Sequence, residues 1–258
     1  MNKKIVMSLL VASLAVGSVS AATPAQPKKQ KELSTTLHWK LSLDADGHVV
    51  SLNAEGKSNN ALREKLETAI RHWDFESGQI DGKPAPTDTA LAVQVGMTES
   101  ADGSEYAVRI KNARTGGSVA DASVAPRFPA ASMSKLLRRG DSFFAQVVVE
   151  VRYDADGKAI AVAPVAGSPV QDGPMLDSVR KAVKRWGYQP ELIAGVGVPG
   201  TVLVPVCFSV VSDVGKARQA ENRCRWTQPG TQTSVAEGES LALDSSVQLK
   251  TAISDNVL

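Results

Sequence analysis

From residue 37 onward, apolar and polar positions alternate. Leu37, Trp39, Leu41 and Leu43 are separated by His38, Lys40 and Ser42, and a period of two places the first set on one face of a β-strand. Asp44-Ala45-Asp46-Gly47 then supplies turn chemistry, with Gly47 free to take the positive φ of a tight hairpin. Val50, Leu52 and Ala54 carry the alternation back along a second strand. The period then changes. Leu62, Leu66, Ile70 and Trp73 recur at helical spacing with Arg63, Glu64, Lys65 and Glu67 between them, and Asn59 or Asn60 is placed to cap that helix. After Trp73-Asp74-Phe75 comes a loop with Gly78, Gly82, Pro84 and Pro86, and then a third strand carrying Leu91, Val93 and Val95 on one face.

The same order returns further along the chain. Val147, Val149, Val151 and Tyr153 form a strand, Asp154-Ala155-Asp156-Gly157 repeats the turn letter for letter, and Ile160 and Val162 continue the return strand. Leu176, Val179, Val183 and Trp186 mark the helix, behind Pro174, which suits a first helical turn. Ile80 and Gly82 follow Trp73 at the same offsets at which Ile193 and Gly195 follow Trp186. Val202, Val204, Val206 and Phe208 alternate in the final strand. Two copies of one supersecondary unit account for this better than chance. They predict an α+β fold of two small antiparallel three-stranded sheets, each covered by one amphipathic helix. A strand-like stretch at Tyr106 to Ile110 and a Ser/Ala/Pro-rich segment lie between the copies, and the domain boundary is expected there. Beyond Cys224 the chain is polar, with weak alternation near Leu241 to Leu249, and no structure is expected of it.

The N-terminus adds a destination. Lys3 and Lys4 precede an apolar run from Ile5 to Val16, and small residues end at Ala21. That order reads as a secretory signal peptide. The competing reading is an uncleaved anchor, against which stand Ser8, Ser13, Gly17 and Ser18 in a stretch too short for the roughly 20 apolar residues of a spanning helix. Without the two leader lysines, 27 of the 29 basic residues remain and balance 27 acidic ones. Charge balance argues against a nucleic-acid binder, which needs clustered basic charge. Cys207 and Cys224 are the two cysteines. In an oxidising compartment they are expected to bond to each other, the alternative being two buried thiols.

At the level of residues, the second copy resembles the C-terminal domain family of TonB. Pro126-Arg127-Phe128-Pro129 is similar to the Pro-x-aromatic-Pro entry of that family, Asp156-Gly157 to its hairpin turn, and Arg185-Trp186-Gly187-Tyr188-Gln189-Pro190 to its Arg-Trp-x-aromatic-x-Pro motif. The first copy keeps Asp46-Gly47 and Trp73-Asp74-Phe75 but lacks the entry, and reads as a divergent copy. The division expected is a signal peptide at 1–21, a flexible lead-in at 22–36, a divergent TonB-like domain at 37–112, a linker at 113–123, a TonB C-terminal-like domain at 124–211 and a polar extension at 212–258.

The resemblance implies a periplasmic protein that docks segments of outer-membrane receptors or other envelope proteins by adding a peptide strand to a sheet edge. The edge strands expected for this are those of Leu91, Val93 and Val95 and of Val202, Val204, Val206 and Phe208, with Pro205 requiring the second to lie at an edge or a bulge. Pairing of exposed edges into a homodimer is left open. The alternative is a divergent energy transducer that keeps its leader as an inner-membrane anchor. Against it, residues 1–21 hold no histidine, and the lead-in spans only about 50 Å fully extended.

Neither catalysis nor a cofactor is expected. His38, His48 and His72 are the only histidines, and no metalloprotease or nucleophile-elbow motif occurs. Gly140-Asp141-Ser142 reads as a polar turn before a strand. The Asp-Ala-Asp-Gly turns lack the Gly and Glu spacing of a calcium loop, so no metal is expected.

Overall fold

The structure, a computed structural model, describes residues 32–56, 60–99, 106–128, 143–210, 224–231 and 233–253. The leader and most of the lead-in, together with Asn59, Pro129 and Gly140-Asp141-Ser142, lie outside the described residues. The first copy runs β1 (Glu32–Leu43), β2 (Val49–Glu55), α1 (Asn60–Ile70), β3 (Phe75–Glu76), β4 (Gln79–Ile80), β5 (Lys83–Pro84) and β6 (Thr87–Glu99). Next come β7 (Tyr106–Gly116) and β8 (Ser118–Asp121). The second copy runs β9 (Phe143–Tyr153), β10 (Ala159–Pro164), α2 (Gly173–Val183), β11 (Gly187–Gln189), β12 (Glu191–Ile193), β13 (Val196–Val198) and β14 (Gly200–Val210). The tail adds β15 (Arg225–Thr227), β16 (Ser234–Ala236), β17 (Leu241–Ala242) and β18 (Gln248–Leu249).

The two copies fold alike in local detail. In each turn the first aspartate accepts two backbone N–H bonds: Asp44 Oδ1 from Asp46 (3.0 Å) and His48 (2.9 Å), and Asp154 Oδ1 from Asp156 (3.0 Å) and Lys158 (2.8 Å). Gly47 and Gly157 stand at φ +86° and +76°, and a Cβ on either would collide with a backbone carbonyl, that of Phe75 or that of Tyr188. Each blocking residue lies two positions beyond its helix-end tryptophan. The matched Ile-x-Gly runs are also one motif. Asp81 and Gly82 (φ +52° and +74°), like Ala194 and Gly195 (φ +49° and +80°), are the centres of two-residue hairpin loops with both φ values positive.

The global architecture departs from the expected α+β pair of small helix-covered sheets. Strands make up 54% and helices 12% of the described residues, and the largest sheet is a curled antiparallel half-barrel. That sheet runs β13-β12-β6-β1-β2, with β7 also paired to β6, so strands of both copies share it. The second sheet is β10-β9-β14-β17. The described residues form one compact unit. Residues 113–123, expected as a linker, hold the end of β7 and all of β8, which pairs with β11. Residues 32–36, expected in the flexible lead-in, are the paired start of β1.

Two cores have the expected helix-to-sheet composition. Trp39, Leu41, Leu91, Val93 and Val95 pack with Leu66, Ile70, Trp73 and Phe75 in the first. Val147, Val149, Val151, Tyr153, Val202, Val204, Val206 and Phe208 pack with Leu176, Val179, Val183 and Tyr188 in the second. The third core comes from the tail. Trp226, Val235 and Leu241 close over Val148 and Leu203, the opposite face of the second sheet. A helix covers only one face of a sheet, and the apolar residues of the other face need their own cover. The tail then returns to the first copy, where β18 pairs with β3, Lys250 N–H donates to the Asp74 carbonyl (2.8 Å) and Val247 joins the first core.

Candidate docking edges

An edge can receive a strand only if its backbone groups are unpaired. The first expected edge, with Leu91, Val93 and Val95, is not one. Its strand β6 is interior, bonded along one side to β1 (Glu32↔Thr98 to Leu43↔Thr87) and along the other to β12 and β7. All three side chains are fully buried. The physical reason is β7, whose residues take the edge that a three-stranded unit would have left open.

The second expected edge, β14, is sealed by the tail. Its inner side pairs with β9 from Gly200 to Val210. On the outer side Thr201 accepts a bond from Leu243 N–H (2.9 Å) and donates its own N–H to Asp244 Oδ1 (2.8 Å). Backbone groups two residues apart return to the same side of an antiparallel strand, so Leu203, Pro205 and Cys207 face outward too. Leu203 pairs with β17, Pro205 has no N–H to offer, and Cys207 N–H donates to Glu237 Oε1 (3.4 Å). The proline thus sits on the side where its missing donor costs no bond to β9. Val202, Val204, Val206 and Phe208 all point into the second core. The Cys207–Cys224 disulfide, with Cα atoms 5.9 Å apart, fixes the start of the tail beside this edge.

The motif residues are structural supports. Trp73 and Phe75 are buried in the first core. Trp186 is half-buried and donates its indole N–H to the Val124 carbonyl (2.7 Å). The Tyr188 ring stacks on Tyr153 with centroids 5.5 Å apart, and its hydroxyl donates to the Val183 carbonyl (3.1 Å). Burial raises the pKa of both tyrosines, with Asp244 and Glu191 adding to the effect on Tyr153. Phe128 packs edge-on against Phe143 and Phe208, half-buried Pro126 precedes it, and half-buried Pro190 lies beside Gly157. Asp46 and Asp156 are exposed at the turns. The His48 backbone N–H, helped by the His48 side chain, holds the Asp44 carboxyl below its ordinary range against the opposing effect of desolvation.

Among the described residues, the strands that end the sheet paths include β2 in the first copy and β10 in the second. They are equivalent, each being the return strand of an Asp-Ala-Asp-Gly hairpin. Each also carries a β-bulge at the same place. Ser42↔Ser51 and Leu43↔Val49 leave Val50 as the extra residue, and Tyr153↔Ala159 and Arg152↔Ala161 leave Ile160. A bulge re-aims its side chain, which corrects the expectation that Val50 and Ile160 share the apolar face. They are 64% and 62% exposed. No sequence signal separates a bulged position from a paired one in these runs, although the match of Val50 to Ile160, each three residues past its turn glycine, was available. β10 ends in Pro164, whereas β2 contains no proline.

No protein-family profile matches this chain, and no curated protein or solved structure is significantly similar to it.

Proposed function

We propose that this chain is a TonB-like periplasmic binding protein, accessory to TonB-type transport, that docks extended segments of outer-membrane receptors or other envelope proteins by strand addition. The docking edge is β2. The observation that carries the reading is the proline-free run Ser51–Ala54 at the end of the large sheet, beside an exposed Val50 and ahead of Glu55, whose carbonyl accepts from Arg63 Nη2 (3.0 Å). Main-chain bonds to such an edge give affinity, and a β-branched side chain at its rim gives an apolar contact for the incoming strand. The equivalent edge β10 is shorter and closed by Pro164, which limits it as a template. The disulfide supports an oxidising compartment, and the motif residues of the second copy support the family resemblance.

The test is a titration of the mature chain with synthetic peptides from the periplasm-facing segments of outer-membrane receptors, followed by amide hydrogen exchange. Protection confined to Val49–Glu55, lost in Val50→Lys and kept in Ile160→Lys, is expected. Binding by no peptide, or protection elsewhere on the chain, refutes the reading.

A further inference from the structure

Between the large sheet and the tail lies a cavity of about 240 Å³. Its floor is made by small residues, Ala90 and Ala92 on β6 and Gly116 at the end of β7, and its roof by Gly238 to Ser240 of the tail. His38, Glu55, Arg114 and Glu239 supply its charged or titratable walls. The floor is the face of β6 opposite Leu91 and Val93, so the hollow owes nothing to the apolar core.

The charges in this cavity are unequally satisfied. Glu239 accepts the Ala236 N–H (3.1 Å) and faces His38 Nε2 at 3.8 Å. Burial pushes its pKa up, but the bonds from His38 and Ala236 outweigh that and hold it below the usual carboxylate range. Glu55 pairs with Lys40 at 3.7 Å. Arg114 has no such partner. Its Nη1 donates to the Ser234 carbonyl (3.2 Å), while its Nη2 is buried with no acceptor. Burial disfavours the Arg114 charge, Glu239 supports it from beyond ion-pair distance, and a second guanidinium, Arg225, which donates to the hydroxyl of the same serine (3.1 Å), adds like charge. Among the described residues neither arginine has a carboxylate within 4.0 Å. A guanidinium is an always-charged fork matched to a carboxylate, and a buried donor left unpaired is costly.

We propose that this cavity is a binding site for a small carboxylate ligand, held by Arg114 over the Ala90–Ala92 floor. A volume below the roughly 300 to 1,000 Å³ of sites for drug-sized molecules limits the ligand to a short-chain acid or a comparable fragment. Glu239 and Glu55 at the walls disfavour a multiply charged anion. The site meets the β2 docking edge only at Glu55, the last residue of that strand, and its carboxylate holder, Arg114, lies on β7, so the assignment stands whether or not the edge binds peptides.

The test is a titration of the full mature chain with propionate, read by NMR, with propylammonium and inorganic phosphate as parallel arms. Propionate is expected to shift the Arg114 side-chain N–H and the Ala92 methyl resonances saturably. Arg114→Gln is expected to weaken binding at least tenfold, and Ala92→Leu, which fills the floor and leaves the guanidinium in place, to abolish it. The wild-type shifts decide the matter if either variant fails to fold. Absence of saturable shifts at Arg114 and Ala92, equal binding by Ala92→Leu, or preference for phosphate or propylammonium overturns the assignment.

Discussion

At Gly157 the backbone stands at φ +76° and the space a Cβ would fill is held by the Tyr188 carbonyl. At Gly195 φ is +80°, but no atom lies within 4 Å of that position. The pair separates two costs that a turn glycine usually combines. Left-handed backbone costs an ordinary residue roughly 1–2 kcal/mol, and that is all Gly195→Ala is expected to lose. Gly157→Ala must also push the β9–β10 turn away from the strand after Trp186, for a total of about 3 kcal/mol or more. The same contrast is expected between Gly47→Ala and Gly82→Ala in the first copy, because Gly47 abuts the Phe75 carbonyl and Gly82 meets nothing. Urea denaturation midpoints of the four variants check this, and equal losses within each pair would show that the close approach carries no energy.

The pieces read well from the sequence are those whose side chains repeat with a local period. Leu66, Ile70, Val179 and Val183 announce two helices, and all four are fully buried. The Asp-Ala-Asp-Gly runs announce two hairpins, both present with matched bonds. What remained illegible depends on partners far along the chain. Tyr106 to Gly116 gives little alternation, yet pairs with most of β6 because β6 outlasts the unit it was expected to close. The tail is polar on average, but Trp226, Val235 and Leu241 are spaced to meet Val148 and Leu203 across the second sheet, and averaging hides three anchors. The tail is therefore expected to contribute real stability. Trp226→Ala should cost about 3–5 kcal/mol, as for other buried tryptophans. The double variant Cys207→Ser, Cys224→Ser should cost about 3 kcal/mol, from a loop of 17 residues no longer closed in the unfolded chain. Calorimetric unfolding of both proteins would measure these losses, and wild-type stability in Trp226→Ala would mean that the tail does not pack.

At the scale of the whole molecule, the two copies and the tail meet at one carboxylate. Glu191, on β12 of the second copy, is 4% exposed. Its Oε1 accepts Thr89 Oγ1 of the first copy (2.6 Å) and Ser245 Oγ of the tail (2.9 Å), and its Oε2 accepts the Ser246 N–H (2.6 Å). A charged acceptor with three donors holds β12 against β6 where the large sheet passes from one copy to the other. In Glu191→Gln one oxygen becomes an amide nitrogen, so either the Ser246 N–H faces another donor or the Thr89 and Ser245 hydroxyls must turn to accept from it. The expected loss is about 1–3 kcal/mol, within the range for bonds to a charged group. Where that loss appears matters more than its size. Because both copies contribute strands to one sheet, opening at Glu191 is expected to expose them together. Native-state amide exchange of Val93 in the first copy and Val204 in the second should then accelerate by similar factors in Glu191→Gln. Acceleration at Val93 with no change at Val204 would instead mean that the repeats open independently and that the shared sheet is a contact between two separately stable parts.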